Sequence, residues 1–265
     1  MLYAVIAALF VDPSARAQLV SGADAVGRGN AVAGDTISPW SAAVNPANAT
    51  TFAKPRATLT ATLTTSVIEP SRTGAVVIVP VSPIVLVASF QSSAVPAYRE
   101  SIIDLGAAGA ITPVITASMR IGFHSLTIER YGSASSFTID CGARAALLPQ
   151  FAMGLVVGNI TGATVGISHT PLPRDVRFGI AMVPYTQCVV TADAVGRIGE
   201  AGAMCLGAHV QIHPNIAANI GLCSEPSMFS TGIELSISAI VACYAFTARP
   251  DIGALQTISV GFAMP

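Results

Sequence analysis

From Arg56 onward, apolar and polar residues alternate at every second position in one run after another. Such a period places two kinds of side chain on opposite faces of an extended chain. Arg56–Ile68 is the clearest run. Leu59, Ala61, Leu63 and Val67 take one face, with Thr65 the exception, and Thr58, Thr60, Thr62, Thr64 and Ser66 take the other. The same reading holds for Phe137–Ala145, Val176–Met182, Leu206–Ile212, Ile233–Val241 and Ile258–Phe262. Turn signals separate the runs at Glu69-Pro70-Ser71, Tyr131-Gly132-Ser133, Pro171-Leu172-Pro173, His213-Pro214-Asn215, Glu225-Pro226-Ser227 and Arg249-Pro250-Asp251. Serial strands with regular turns define an all-β chain, as a barrel or a sandwich.

Composition narrows the choice. Hydrophobic residues make up 52% of the 265 residues and charged residues only 10%, with a mean hydropathy of +0.65. A water-soluble surface is hard to build from so few charges. No segment reads as a membrane helix either: the charge-free start of Thr73–Tyr98 is interrupted by Pro80, Pro83 and Pro96, which a spanning helix does not tolerate. A closed membrane barrel satisfies both conditions, because its outer face is apolar and its backbone groups pair around the sheet. At roughly 14–16 residues per strand with its turn, the chain after residue 55 accommodates about 12–14 strands. Lys54 is the one lysine and the net charge is −1. Nucleic acid is therefore not an expected partner.

Met1–Ala17 reads as a secretory leader. An apolar run, Leu2–Val11, precedes Pro13 and the Ala15-Arg16-Ala17 site, with cleavage expected before Gln18. No Lys or Arg precedes the apolar run. Residues 18–55 are small and glycine-rich, which suits a compact plug in a lumen better than a lipid-facing strand.

The order Gly27-Arg28-Gly29-Asn30-Ala31, an Asp35-centred turn, then Asn45-Pro46-Ala47 resembles the N-terminal hatch of outer-membrane barrels of the FadL and PorV/PorQ superfamily. The strand–turn–strand runs Phe137–Ile160 and Leu172–Asp193, and the closing Ile258-Ser259-Val260-Gly261-Phe262, extend the resemblance over most of residues 21–262. It implies three parts: a leader at 1–17, a hatch at 18–55 and an outer-membrane barrel at 56–265. It also implies residence in the outer membrane of a Gram-negative-type bacterium. The role implied is transport of hydrophobic compounds, or protein secretion and surface attachment with secretion-system proteins as partners. Hatch residues under this reading are Gly27, Arg28, Gly29, Asn30, Asp35, Asn45 and Pro46. The chain is short for the superfamily, which implies clipped loops or a narrower barrel.

Asp140, Arg144, Arg177 and Glu234 fall on the polar faces of strands and are expected to face the lumen, since charge on the lipid face costs about 2–4 kcal/mol near the midplane. There they either form a polar track, with contacts to the hatch around Arg28 and Asp35, or simply pair with one another. Trp40 and the tyrosines are candidates for the membrane boundary. The five cysteines form no C-x-x-C. They read as small apolar strand residues, with one disulfide open to any pair. No metal site, cofactor or catalytic set is expected. His209 and His213 lack the intervening glutamate of a zinc protease motif, and no G-x-S-x-G elbow is present. Two other classes fit the alternation. One is a secreted β-rich assembly protein that buries its apolar faces against neighbouring subunits. The other is an outer-membrane hydrolase using a serine and one histidine.

Overall fold

A computed structural model describes residues 21–64, 71–167, 169–198 and 201–263. The leader and the Glu69-Pro70 turn lie outside the described residues. Seven strands come first: β1 (Arg56–Thr64), β2 (Ser71–Val81), β3 (Ile84–Val95), β4 (Tyr98–Ala110), β5 (Ile115–Ile128), β6 (Gly132–Leu148) and β7 (Phe151–Val157). A loop carrying the two-residue strands β8 (Thr164–Val165) and β9 (Thr170–Pro171) follows. Seven more complete the chain: β10 (Asp175–Tyr185), β11 (Cys188–Arg197), β12 (Ala203–His213), β13 (Ile216–Ser224), β14 (Ser227–Ile237), β15 (Ile240–Arg249) and β16 (Gly253–Ala263).

Among the described residues, fourteen strands close into an antiparallel barrel in chain order. β7 pairs with β10, and β16 returns to β1 with Arg56 opposite Ala263. Closure removes the free sheet edges. The connections at 82–83, 111–114, 149–150, 186–187, 214–215 and 238–239 lie at the end where β1 begins, called the lower end. The 158–174 loop and the turns at 96–97 and 129–131 lie at the upper end.

The alternation sets the wall. On β1, Leu59 and Leu63 face outward, 66% and 57% exposed, while Thr58, Thr60 and Thr62 are buried inside. The inner hydroxyls pair across strands: Thr62 Oγ1 lies 3.2 Å from Thr257 Oγ1, and Ser259 Oγ lies 2.8 Å from Thr60 Oγ1. Asp104, Arg120, Asp140 and Asp193 are all buried on the inner side. No helix among the described residues is long and apolar enough to cross a membrane, and the outward face of the strands is a belt of exposed Leu, Ile, Val and Phe.

β2 and β3 depart from simple alternation. Val76, Ile78, Val85 and Val87 face inward as well, while Val77, Val79, Ile84 and Leu86 face outward. The inner face is covered and the outward residues are apolar as well, so the sequence reads as one continuous apolar run. What covers the inner face is Trp40, 1% exposed and packed with those valines. Trp40 therefore sits inside the barrel, not at a membrane boundary.

The run Ile233–Val241 is not one strand. Ser238, at φ 55°, and Ala239 form a tight turn between β14 and β15. The turn resets the alternation, so Val241 faces inward and packs with Ala23, Cys243 and Ala245. One disulfide is present, joining Cys205 and Cys223 at directly opposed positions of β12 and β13. Cys141, Cys188 and Cys243 are free thiols.

Candidate functional site: the occupied lumen

The segment before β1 runs through the inside of the barrel. It contains a one-turn helix, α1 (Ala23–Val26), a short helix, α2 (Pro39–Val44), and a 3-10 turn at Pro46–Thr51. Each start has a local cause. Ser38 Oγ accepts from Trp40 N–H at 3.1 Å with Pro39 at the first helical position, and Asn45 Oδ1 accepts from Ala47 N–H at 3.2 Å ahead of Pro46. Gly29 and Asn30 hold positive φ of 65° and 59°, which turns the chain back after α1.

Arg28 and Asp35 close this turn on itself. Arg28 Nη2 donates to Asp35 Oδ2 at 2.8 Å, and Arg28 Nε donates to the Asp24 carbonyl at 3.1 Å. Asp35 also accepts from the N–H groups of Thr36, Ile37 and Ser38. Burial by itself raises the Asp35 carboxyl. The Arg28 guanidinium and these N–H donors outweigh it and hold the pKa below the ordinary carboxylate value. Asp24 lies close by, but its Oδ1 has no hydrogen-bond partner, and burial dominates there and raises it.

The sign for Asp35 follows. A depressed folded pKa contributes stability that is present above the unfolded value and lost as pH falls through the folded one. The Asp35 contribution to docking is thus expected to be complete from neutral pH down to the ordinary carboxylate range and lost only in stronger acid. It is read as the difference between the parent protein and Asp35→Asn in cleavage within residues 21–55 across a pH series.

The wall grips the segment from several strands. Asp193 Oδ2 on β11 accepts from both Val32 and Ala33 N–H at 2.9 Å. Arg120 on β5 is ion-paired with Asp140 on β6 and donates to the Ala43 carbonyl. Arg177 Nη1 on β10 donates to the Asn30 carbonyl at 3.3 Å and lies 3.7 Å from Asp193. Asn45 Nδ2 reaches the Ala33 and Ala143 carbonyls, and Ala23 N–H donates to Ser259 Oγ at 2.7 Å. The bonds made by Asp193, Arg120 and Arg177 are charge-assisted and each worth about 1.5–3 kcal/mol, and the neutral ones of Asn45 and Ala23 about 0.5–1.5 kcal/mol.

Close approach requires bare wall. A Cβ on Gly154 would lie 1.8 Å from the Ala33 carbonyl oxygen, one on Gly207 would lie 2.4 Å from the Arg28 carbonyl oxygen, and one on Gly221 would lie 2.1 Å from Gly29 N. Pro46 similarly rests on Gly106, where a Cβ would lie 2.9 Å from its Cγ.

Gly27, Arg28, Gly29, Asn30, Asp35, Asn45 and Pro46 therefore all lie in the lumen, with Gly27 beside Asn219 and Gly232. The wall residues that touch this segment by hydrogen bonds are chiefly Asp193, Arg120 and Arg177. Asp140 acts through Arg120, and its Oδ1 also accepts from Asn159 N–H at 2.7 Å. Arg144 is half-buried on the face of Asp140, and Glu234 meets the Cys243 thiol at 3.8 Å near the lower end. Arg28 pairs with Asp35 and with none of the four wall charges expected from the sequence. Asp193, Arg120 and Asn159 escaped the sequence reading; the inward register of Asp193 and Arg120 follows from strand alternation, whereas Asn159 lies in the loop after β7, where no register marks it.

Among the described residues, cavities flank the segment above and below. The upper one, about 120 Å³, is bounded by Val44, His124, Asp140, Val156, Leu172 and Arg177. Asn159 folds the 158–174 loop over it, donating to the Leu172 carbonyl at 3.1 Å and accepting from Ala163 N–H at 2.8 Å. The lower one, about 50 Å³, is bounded by Asp24, Arg56, Glu234 and Cys243 among others.

The closed fourteen-stranded antiparallel barrel matches several solved structures. The fold is that of the FadL-type outer-membrane barrels. The CymD monoaromatic hydrocarbon channel aligns at a TM-score of 0.69 and 12% identity, over 93% of this chain and 98% of that one. The Pseudomonas putida toluene transporter TodX aligns at 0.63 and 10%, over 92% and 98%. A Pseudomonas aeruginosa FadL homologue aligns at 0.65 and 9%, over 91% and 98%. No protein-family model and no curated protein matches the sequence. In this FadL-type fold two of the four histidines, His124 and His209, are placed for hydrogen bonding within the wall. His124 Nε2 meets Thr138 Oγ1 at 3.1 Å and His209 Nδ1 meets Asn219 Oδ1 at 2.9 Å. Among the described residues, no group of three or more His, Cys, Asp or Glu is arranged to hold a metal.

Proposed function

We propose that this protein is an outer-membrane channel for compact hydrophobic or amphipathic solutes, with residues 18–55 as a hatch that occludes the lumen. The observation that carries the reading is the lumen itself. A small-residue segment fills it, packs Trp40 on the inner valines of β2 and β3, is otherwise held by polar contacts from several strands, and leaves a cavity on either side. The polar contacts exchange one by one with water or solute, and no strand ladder among the described residues ties the segment to the wall, so the plug can shift without unfolding it. The likeness to a hydrocarbon channel and a toluene transporter supports the same reading.

Under it, Arg28 and Asp35 keep the hatch compact, Gly27, Gly29 and Asn30 set its turn, and Asn45 and Pro46 fix its exit toward β1. Asp140, Arg144, Arg177 and Glu234 form the charged wall it moves against. The leader at 1–17 belongs to the same proposal, as the export signal that delivers the barrel.

The test removes residues 18–54 and follows uptake of small hydrophobic solutes by cells carrying the protein in their outer membrane. Uptake is expected to rise, while heat-modifiable gel migration shows the barrel intact. Unchanged uptake through an intact barrel would sink the gating role. Loss of a cross-linked secretion-system partner, with no solute passage in either form, would favour the PorV/PorQ-type role instead.

A further inference from the structure

The upper cavity holds more carboxylate than its guanidinium groups balance, and we infer that it receives a compact cationic amphiphile, a primary ammonium group on a short apolar body. The inference rests on the channel reading above and names its solute class.

Polar atoms converge on one bare point of the wall. A Cβ on Gly122 of β5 would lie 2.8 Å from Asp104 Oδ1, 2.7 Å from Thr138 Oγ1 and 3.3 Å from His124 Nε2. Asp104, Thr138 and His124 all line the cavity. Asp104 is 4% exposed, and its two oxygens are not alike. Oδ2 accepts from Ser89 Oγ at 3.0 Å and from Gln91 Nε2 at 3.4 Å. Oδ1 accepts no hydrogen bond among the described residues. Its nearest cationic atom is Arg120 Nε at 3.9 Å, and that guanidinium donates to Asp140 and to the Ala43 carbonyl instead. Unlike Asp24 Oδ1 and Asp193 Oδ1, which are sealed, Asp104 Oδ1 stays open to the cavity.

The other carboxylates set the sign of what enters. Asp140 is satisfied by Arg120 and by Asn159 N–H, and Glu100 Oε2 accepts from the Tyr98 hydroxyl at 3.2 Å. The Asp175 carboxylate, half-buried beside the 158–174 loop, accepts no hydrogen bond among the described residues. Arg120 and Asp140 cancel, and so do Arg177 and Asp193, 3.7 Å apart. Arg197 then stands against Glu100, Asp104 and Asp175, a net −2 with His124 neutral. An anionic solute adds like charge to this lining. A hydrocarbon covers Asp104 Oδ1 and offers it no donor, which is unfavourable.

An ammonium seated over Gly122 donates to Asp104 Oδ1 and to Thr138 Oγ1. Thr138 keeps a lone pair for it whichever group donates in the 3.1 Å bond with His124 Nε2. The bond to Asp104 is charge-assisted and belongs to the stronger class. Val44, Val156 and Leu172 give the cavity an apolar side for the rest of the solute. The space, about 120 Å³, is near the ~150 Å³ cavity that admits benzene, so the whole solute is limited to roughly six heavy atoms.

The probe is n-pentylamine, protonated at neutral pH, compared with 1-pentanol and pentanoate. Equilibrium dialysis of each against the full-length protein in an uncharged detergent, with empty micelles as control, measures binding. Uptake by cells carrying the protein in their outer membrane measures passage. Pentylamine is expected to bind most tightly. Asp104→Asn is expected to weaken it roughly 10- to 100-fold, the loss of one charge-assisted hydrogen bond, and to leave 1-pentanol unchanged. Gly122→Ala keeps every charge but fills the bare point, and is expected to weaken the amine as well. Heat-modifiable migration reports folding of each variant. 1-Pentanol bound as tightly as the amine, equal effects of Asp104→Asn on both, or parent-like amine binding by Gly122→Ala overturns the inference, while uptake leaves the channel reading standing. Amine-selective binding that depends on Asp104, without uptake of any solute, supports the inference and overturns the channel reading.

Discussion

Replacing Arg28 by methionine is expected to release residues 21–55 from the lumen while the barrel stays closed. Arg28 is 1% exposed and Asp35 is fully buried, with 2.8 Å between their charged atoms. Removing one partner of a buried pair leaves the other charge uncompensated, at a cost of about 3–5 kcal/mol. That cost falls on a segment tied to the wall by a set of hydrogen bonds and by the packing of Trp40 on β2 and β3, and not on the strand ladders. Hydrogen exchange should therefore speed up within residues 21–55 and stay slow in β1–β16. Removing both charges, in Arg28→Met with Asp35→Leu, is expected to recover part of the loss, because an apolar pair in place of a buried ion pair is often neutral. Recovery should be partial, since Asp35 also accepts from the N–H groups of Thr36, Ile37 and Ser38. Arg28→Met with unchanged exchange in the segment would show that the pair contributes little to docking.

Gly221→Leu and Gly154→Leu are expected to produce the larger functional change, an opened lumen. At either position the first side-chain atom already overlaps the segment's backbone, Gly29 N in one case and the Ala33 carbonyl in the other. Something must move. The wall at Gly221 is held by ladders to Leu206–Ala208 of β12 and Thr231–Phe229 of β14, whereas the segment has no ladder of its own. The segment yields. Overpacking costs about 1–3 kcal/mol, which lowers occupancy of the docked state roughly 5- to 150-fold. Planar-bilayer recordings should show larger conductance for both variants than for the parent protein. Gly196→Leu is the matched control, because the nearest atom to a Cβ there is 4.0 Å away. Parent-like conductance in both lumen variants would mean that the wall adjusts and the segment remains.

What the sequence made legible was what a strand says about itself. The Thr face of β1, the Asp140–Arg144 face of β6 and the Arg177 face of β10 all point inward as their alternation requires, and the turns at Tyr131, His213, Glu225 and Arg249 fall between strands. What stayed hidden were relations between distant strands. Asp193 holds Val32 and Ala33 across a separation of 160 residues, and no local pattern marks that. Gly154, Gly207 and Gly221 look like weak points in strands until the segment above them is in place. Val76 and Ile78 obscured the alternation of β2 because their inner face is covered by Trp40, itself a residue whose usual habitat is a membrane interface. The Ser238–Ala239 turn carries neither Gly nor Pro, so β14 and β15 read as one run.

Trp40 is the chain's one tryptophan. Because it lies in α2, inside the lumen and away from lipid, the tryptophan emission of the protein, excited where the five tyrosines do not absorb, reports on the segment alone. A docked indole packed among Val76, Ile78 and Val87 emits at short wavelength, and an indole carried into water emits at longer wavelength and becomes accessible to iodide. The unmodified chain thus carries its own optical gauge of whether the passage is blocked, readable in intact vesicles and on the timescale of solute addition.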